Sequence, residues 1–219
     1  MSLRYKAVLF DLDETLISID AAYRKAYALL AEKYPDCIHP ADEKQFKQLV
    51  YLGRHYDRTN RPEAWVPFAE TWGIKTPYET FWTEWMDLYT SHATPYVWSE
   101  PLLLELKRLG VKIGIVTNGR VATQGAKIRS CGLLPYFDDV IISEEIEIAK
   151  PDPHILLLAC KHLNVEIRET LFVGDNANTD IAGALAAGMD CLWITSKQAN
   201  KVGATYYSPD TRILLDLLK

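Results

Sequence analysis

The sequence predicts an α/β fold: a doubly wound parallel sheet, Rossmann-like in its layering, that carries an all-helical cap insertion. Three observations lead there. Short runs of Val, Ile, Leu and Phe recur without polar alternation, as strands buried on both faces of a parallel sheet do. Helical stretches separate the later runs, and strands that alternate with helices pair in parallel. One long segment, residues 18–98, has no convincing strand, so the expected domains are a core of 1–17 with 99–219 and a helical insert of 18–98.

The first strand is Ala7–Phe10, which stops at Asp11 and is followed at once by Asp13 and Glu14. The helical segment comes next. Tyr23, Ala26, Tyr27, Leu30 and Tyr34 share one helical face, as do Tyr78, Trp82, Trp85 and Tyr89. Pro35, Pro40, Pro62, Gly73 and Pro77 divide the stretch into four helices. Trp65, Trp72, Trp82, Trp85 and Trp98 all fall in this segment. They could form a stacking surface for a base or sugar, but helical spacing favours the core of a small bundle. In the run Gly53–Arg58, Arg54 or Arg58 could meet a substrate anion, although such runs are commonly a solvated helix face.

Alternation resumes at Ser99, an expected N-cap, with Pro101 in the first turn and Gly110 as the stop. The second strand, Val111–Val116, leads into Thr117-Asn118-Gly119, and the third is Asp139–Ile142. Asp152-Pro153 opens a helix to about Leu163. Leu171–Val173 leads into Gly174-Asp175, a helix is expected over Thr179–Ala187 with Gly188 closing it, and Cys191–Ile194 is the last strand.

Composition limits the functions available. With 48% hydrophobic and 24% charged residues and a net charge of −5, the chain reads as a globular protein whose partners are neither nucleic acid nor an anionic membrane. No apolar stretch is long enough to span a bilayer and the N-terminus lacks a signal-peptide layout. Cys37, Cys131, Cys160 and Cys191 form no CxxC pair and read as reduced core thiols of a cytoplasmic protein. His39, His92, His154 and His162 show no metal-ligand spacing.

Ligands of open parallel sheets bind beyond the carboxyl ends of the strands. Residues placed there are Asp11 and Asp13, Thr117 and Asn118, and Asp175 with Asp180 five positions on; Lys150 lies ahead of the fourth strand. Crowded carboxylates are costly to desolvate unless a cation neutralises them, and hard oxygen ligands suit Mg²⁺. A hydroxyl, backbone amides and a lysine suit a phosphoryl group.

Four local patterns, DLDET from Asp11, IVTNG ending at Gly119, AKPDP around Lys150 and VGDNANTD ending at Asp180, resemble those of the haloacid dehalogenase-like superfamily, in the phosphatase branch with a cap after the first motif. The resemblance implies Asp11 as nucleophile, Asp13 as general acid and base, and Lys150 as the cation that neutralises the nucleophile and phosphoryl group. It implies phosphate binding by Thr117, Asn118 and nearby amides, Mg²⁺ held by Asp11, the Asp13 carbonyl and Asp175, and Asp180 orienting Lys150 or a metal-bound water. It also implies a cap that closes over the substrate. Dehalogenases of the family lack an aspartate at position 13, so Asp13 favours phosphoryl transfer. The expected activity is Mg²⁺-dependent hydrolysis of a small phosphorylated metabolite, a sugar phosphate or nucleoside monophosphate, by a monomer or homodimer. A phosphomutase with the same motifs is the alternative. A phospho-aspartate receiver fits poorly, because its phosphorylated aspartate follows a later strand and it has no helical insert.

Overall fold

The computed structural model describes residues 3–55, 59–196 and 202–219. Strand β1 (Ala7–Phe10) is followed by the two-residue strand β2 (Ile17–Ser18) and by helices α1 (Ile19–Lys33), α2 (Glu43–His55), α3 (Arg61–Trp72) and α4 (Tyr78–Ser91). Strand β3 (Thr94–Pro95) pairs antiparallel with β2. Then come α5 (Ser99–Arg108), β4 (Lys112–Thr117), α6 (Val121–Ser130), β5 (Asp139–Ile142), α7 (Ser143–Ile146), α8 (His154–Leu163), β6 (Thr170–Gly174), α9 (Ala182–Ala186), β7 (Asp190–Ile194), β8 (Tyr206–Ser208) and α10 (Leu214–Leu217). The chain divides into two compact units, 1–18 with 94–219, and 19–93.

The first unit is a six-stranded parallel sheet in the order β5-β4-β1-β6-β7-β8, flanked by helices. From β1 the chain builds outward through β4 to β5, then returns to the other side of β1 for β6, β7 and β8. The order therefore reverses beside β1, and the carboxyl end of that strand is where such sheets hold ligands. All four β1 residues are fully buried. Ala7 and Leu9 join a core with Ile155, Leu156 and Ala159 of α8, while Val8 and Phe10 face the opposite side. Burying each large apolar side chain is worth about 1.5–3 kcal/mol, which anchors the strand that presents Asp11. Gly114 of β4 lets the layers close up, since a Cβ there would stand 2.7 Å from the Leu9 Cδ2.

Four local expectations are corrected. The stretch 18–98 does contain a strand, β3, formed because Thr94 and Pro95 pair with Ser18 and Ile17. A sixth sheet strand, β8, escapes a hydrophobic-run reading because it is only Tyr-Tyr-Ser, with Tyr207 exposed. Ser99 does not cap α5. Trp98 holds the N-cap position, and the buried Ser99 hydroxyl donates to the Leu16 carbonyl at 2.7 Å instead, satisfying a polar atom at the chain crossing. The helix expected over 179–187 begins as a wide π-type turn, Ala177–Ile181, before α9.

The second unit is the four-helix segment. Tyr23 of α1 stacks on Trp85 and Tyr89 of α4, with ring centroids 5.4 and 4.4 Å apart. Trp65 of α3 packs against Phe68 and Phe81 at 5.3 and 4.6 Å. Trp65, Phe68, Phe81 and Trp85 are all buried, so these aromatics build a core. The buried Gln45 carboxamide accepts from the Tyr27 hydroxyl at 2.6 Å and donates to the Cys37 carbonyl at 2.7 Å, tying down the α1–α2 connection. Arg54 lies over the Tyr23 ring, 5.7 Å from its centroid. Arg58 lies outside the described residues.

Candidate active site

Strand β1 runs into Asp11, whose backbone N–H donates to the Val173 carbonyl of β6 at 2.9 Å, extending the ladder by one residue. That bond fixes the carboxylate at the sheet's carboxyl edge, and Asp11 is largely buried. Lys150 reaches it from the loop before α8. Its buried Nζ stands 2.6 Å from Asp11 Oδ1 and 2.7 Å from Asp180 Oδ1. The loop is held by Asn118, whose side chain donates to the Lys150 carbonyl at 2.8 Å and accepts from the Lys150 N–H at 2.9 Å. The Asn118 carboxamide thus joins the turn after β4 to the Lys150 loop.

Asp180 enters the cluster from the π-type turn after β6. Its second oxygen accepts from the Asn176 N–H at 3.0 Å, while the N–H groups of Asp180 and Ile181 both donate to the Asn176 carbonyl. The extra width of the turn brings this carboxylate over Gly174, where a Cβ would stand 2.5 Å from Asp180 Oδ2. Such single π turns occur often at functional sites. Asp175 has its carbonyl held by the Trp193 indole N–H of β7 at 2.9 Å.

Oxygens of Asp11, Asp175 and Asp180 lie within 4.8 Å of one another. Burial, partly offset by Lys150, pushes the Asp11 carboxyl up to about 7. Burial and the nearby Asp180 and Glu14 charges push Asp175 up to about 6. For Lys150, burial acts to lower the pKa, but the Asp11 and Asp180 carboxylates outweigh it and raise the value. Fully ionised, three carboxylates against one ammonium leave two negative charges, which one divalent cation balances. The donor set is all hard oxygen, so the residues present fit Mg²⁺. Asp180 already has both oxygens engaged, by Lys150 and by the Asn176 amide, which leaves Asp11 and Asp175 as the better ligands.

The structure brings Asp11, Lys150, Asp175 and Asp180 into one cluster. Asp13, two residues beyond Asp11, is held differently: Lys127 Nζ lies 2.6 Å from both of its carboxylate oxygens. Thr117 is buried, and its hydroxyl accepts from Gln124 Nε2 at 2.6 Å. Gln124 and Lys127, both on α6, carry no local motif and escaped the reading of the sequence. The one available signal was their three-residue spacing, which puts two polar side chains on the helix face shared with Ile128. Glu14, at φ +57°, accepts from the Tyr96 hydroxyl at 2.8 Å, a partner 82 positions on that the local sequence does not signal.

A glyceraldehyde 3-phosphate phosphatase of Methanopyrus kandleri is 31% identical over 84% of this chain and 81% of its own. Human N-acylneuraminate-9-phosphatase is 31% identical over 87% of this chain and 83% of its own. Bacillus subtilis YfnB, solved bound to magnesium, shares the fold with a TM-score of 0.80 over 99% of both chains at 23% identity. A family profile described as haloacid dehalogenase-like hydrolase matches residues 5–188. With that span covering the sheet edge and all four motifs, the chain belongs to the haloacid dehalogenase-like hydrolase family.

Proposed function

We propose that the protein is a Mg²⁺-dependent phosphatase that hydrolyses a small sugar phosphate through an aspartyl-phosphate on Asp11. The observation that carries this reading is the buried Asp11 carboxylate, paired at 2.6 Å with Lys150 and crowded by Asp175 and Asp180 at the carboxyl edge of the sheet. The names of the two phosphatase relatives, both acting on small phosphorylated sugars or sugar acids, support the substrate class. Asp13, where a dehalogenase needs no proton donor, supports phosphoryl transfer.

In the proposed reaction an Asp11 oxygen attacks phosphorus while the bond from phosphorus to the ester oxygen breaks. Asp13 gives a proton to the departing oxygen, and an alcohol leaves. Asp13 then takes a proton from water, the water oxygen attacks phosphorus, and the bond from Asp11 to phosphorus breaks. Inorganic phosphate and the free carboxylate result. Lys150 balances charge on Asp11 and on the phosphoryl group, and Asp180 keeps the ammonium in place. Thr117 and the amides of the Thr117–Gly119 turn hold phosphoryl oxygens. Asp11, Asp175 and the Asp13 carbonyl are the proposed ligands of Mg²⁺, which when bound draws off phosphoryl negative charge.

A phosphate-release screen of phosphorylated sugars tests the substrate class. Asp11→Asn tests the mechanism: kcat should fall by about 10³-fold or more with the fold retained. Near-full activity of freshly prepared Asp11→Asn protein, with deamidation excluded by mass spectrometry, rules out covalent catalysis at this position.

A further inference from the structure

Lys127 has an environment that stability alone does not explain. Its side chain is 2% exposed, yet its ammonium ends 2.6 Å from both oxygens of Asp13, whose own side chain is 33% exposed. Taking an ammonium out of water is unfavourable, and an apolar residue at that position of α6 would fill the space at lower cost. One turn earlier on the same face, Gln124 Nε2 donates to Thr117 Oγ1 at 2.6 Å and to Asp13 Oδ2 at 3.2 Å. A carboxamide nitrogen carries two hydrogens, so both bonds can form at once. Gly119 packs directly on Gln124, where a Cβ would meet its Cγ at 2.9 Å. Helix α6 thus grips the Asp13 side chain and the Thr117 hydroxyl from behind.

We propose that Lys127, assisted by Gln124, is a positioning residue that holds the Asp13 carboxylate in the one orientation from which it exchanges protons with the leaving group and the hydrolytic water. The assignment rests on the phosphatase reading above. Without the ammonium, a part-exposed aspartate retains the longer 3.2 Å bond from Gln124 but loses the grip on both oxygens and can turn among its staggered rotamers. Lys127 itself is too deeply buried to meet a substrate, and its effect passes through Asp13.

The test separates proton transfer from general damage. A p-nitrophenyl leaving group departs with little proton assistance, whereas an alkoxide needs it; both phosphoenzymes then need the same base-assisted hydrolysis. Rapid-mix kinetics of Lys127→Met, normalised to folded protein by circular dichroism, should show a first turnover of p-nitrophenyl phosphate close to wild type. Later turnovers should be slower by roughly 10²-fold, so a burst of p-nitrophenol appears; with an alkyl phosphate the first turnover itself should slow by a similar factor. Lys127→Arg, which keeps the positive charge in a guanidinium able to bond both carboxylate oxygens, should recover part of both losses. If Lys127→Met does not fold, Gln124→Met decides, with the same split between the two esters at roughly 10-fold. Variants whose rates per folded molecule match wild type, or whose first turnover slows equally with both esters, overturn the assignment and leave the phosphatase reading standing. A wild-type protein that releases phosphate from neither ester overturns both.

Discussion

The tightest approach in the charge cluster is made at a residue with no side chain. At Gly174 an added methyl would meet Asp180 Oδ2, Cβ and Cγ at 2.5, 2.6 and 2.7 Å. Asp180 cannot withdraw freely, because one oxygen bonds Lys150 and the other the Asn176 amide. Gly174→Ala should therefore push Asp180 off Lys150 and loosen the Lys150–Asp11 pair. The expected cost is about 1–3 kcal/mol of stability from overpacking. Activity should fall by roughly 10²-fold, the usual consequence of an ångström of misplacement. Urea unfolding and steady-state kinetics on the same preparation check this. A variant with full activity would mean that the Asp180–Lys150 contact is dispensable.

At the scale of elements, the second unit illustrates how a small helical bundle is stabilised. Its four helices meet through aromatic rings, with Trp65 buried at the point where α3 faces Phe81 of α4. Helices of this length depend on such packing because their isolated stability in water is marginal. Trp65→Ala removes most of a large side chain and leaves a cavity, at an expected cost of about 3–5 kcal/mol. Hydrogen exchange should show amides of α3 and α4 losing protection while those of β1, β4 and β6 keep theirs. Unchanged protection in α3 and α4 would mean that Trp65 is not a core residue of the bundle.

For the whole molecule, metal, charge and stability are linked. Burial pushes the Asp11 and Asp175 carboxyls up to about 7 and about 6 in the folded protein, above the usual value of about 4 for an unfolded aspartate. A carboxyl with a raised folded pKa binds its proton more tightly in the native state. Its contribution therefore favours the metal-free fold at low pH and is withdrawn as pH rises from about 4 to about 7. Mg²⁺ needs the ionised carboxylates, so its stabilisation should grow across the same window. The gap in Tm between Mg²⁺-saturated and metal-free protein should widen from about pH 5 to about pH 7.5. At a hundredfold excess over Kd it should correspond to about 2.7 kcal/mol. Asp175→Asn should close most of it. Phosphatase activity should vanish on chelation and return with Mg²⁺ rather than Ca²⁺, whose looser coordination holds Asp11 poorly for in-line attack. A Tm gap that ignores pH would argue against these two carboxylates as the ligands.

What was readable in the chain was local. The apolar run Ala7–Phe10 ending at Asp11, the continuous run into Thr117 and the run into Gly174-Asp175 each announce a buried strand with polar residues at its carboxyl end. The parallel sheet follows from their alternation with helices, and the sheet's own rules bring Asp11, Thr117, Lys150, Asp175 and Asp180 to one edge. What the sequence could not disclose depends on partners far along the chain. Lys127 meets Asp13 across 114 positions, and nothing within a helical turn of either predicts the other. The Asn118 side chain clamps the Lys150 backbone across 32 positions, a bond that neither local stretch announces. Ser99 left its expected capping role because its buried hydroxyl meets an acceptor, the Leu16 carbonyl, 83 positions earlier. Periodicity and turn chemistry act within a few residues and can be read directly. Burial of a polar atom is decided only when distant segments come together, because only then does its hydrogen-bonding partner exist.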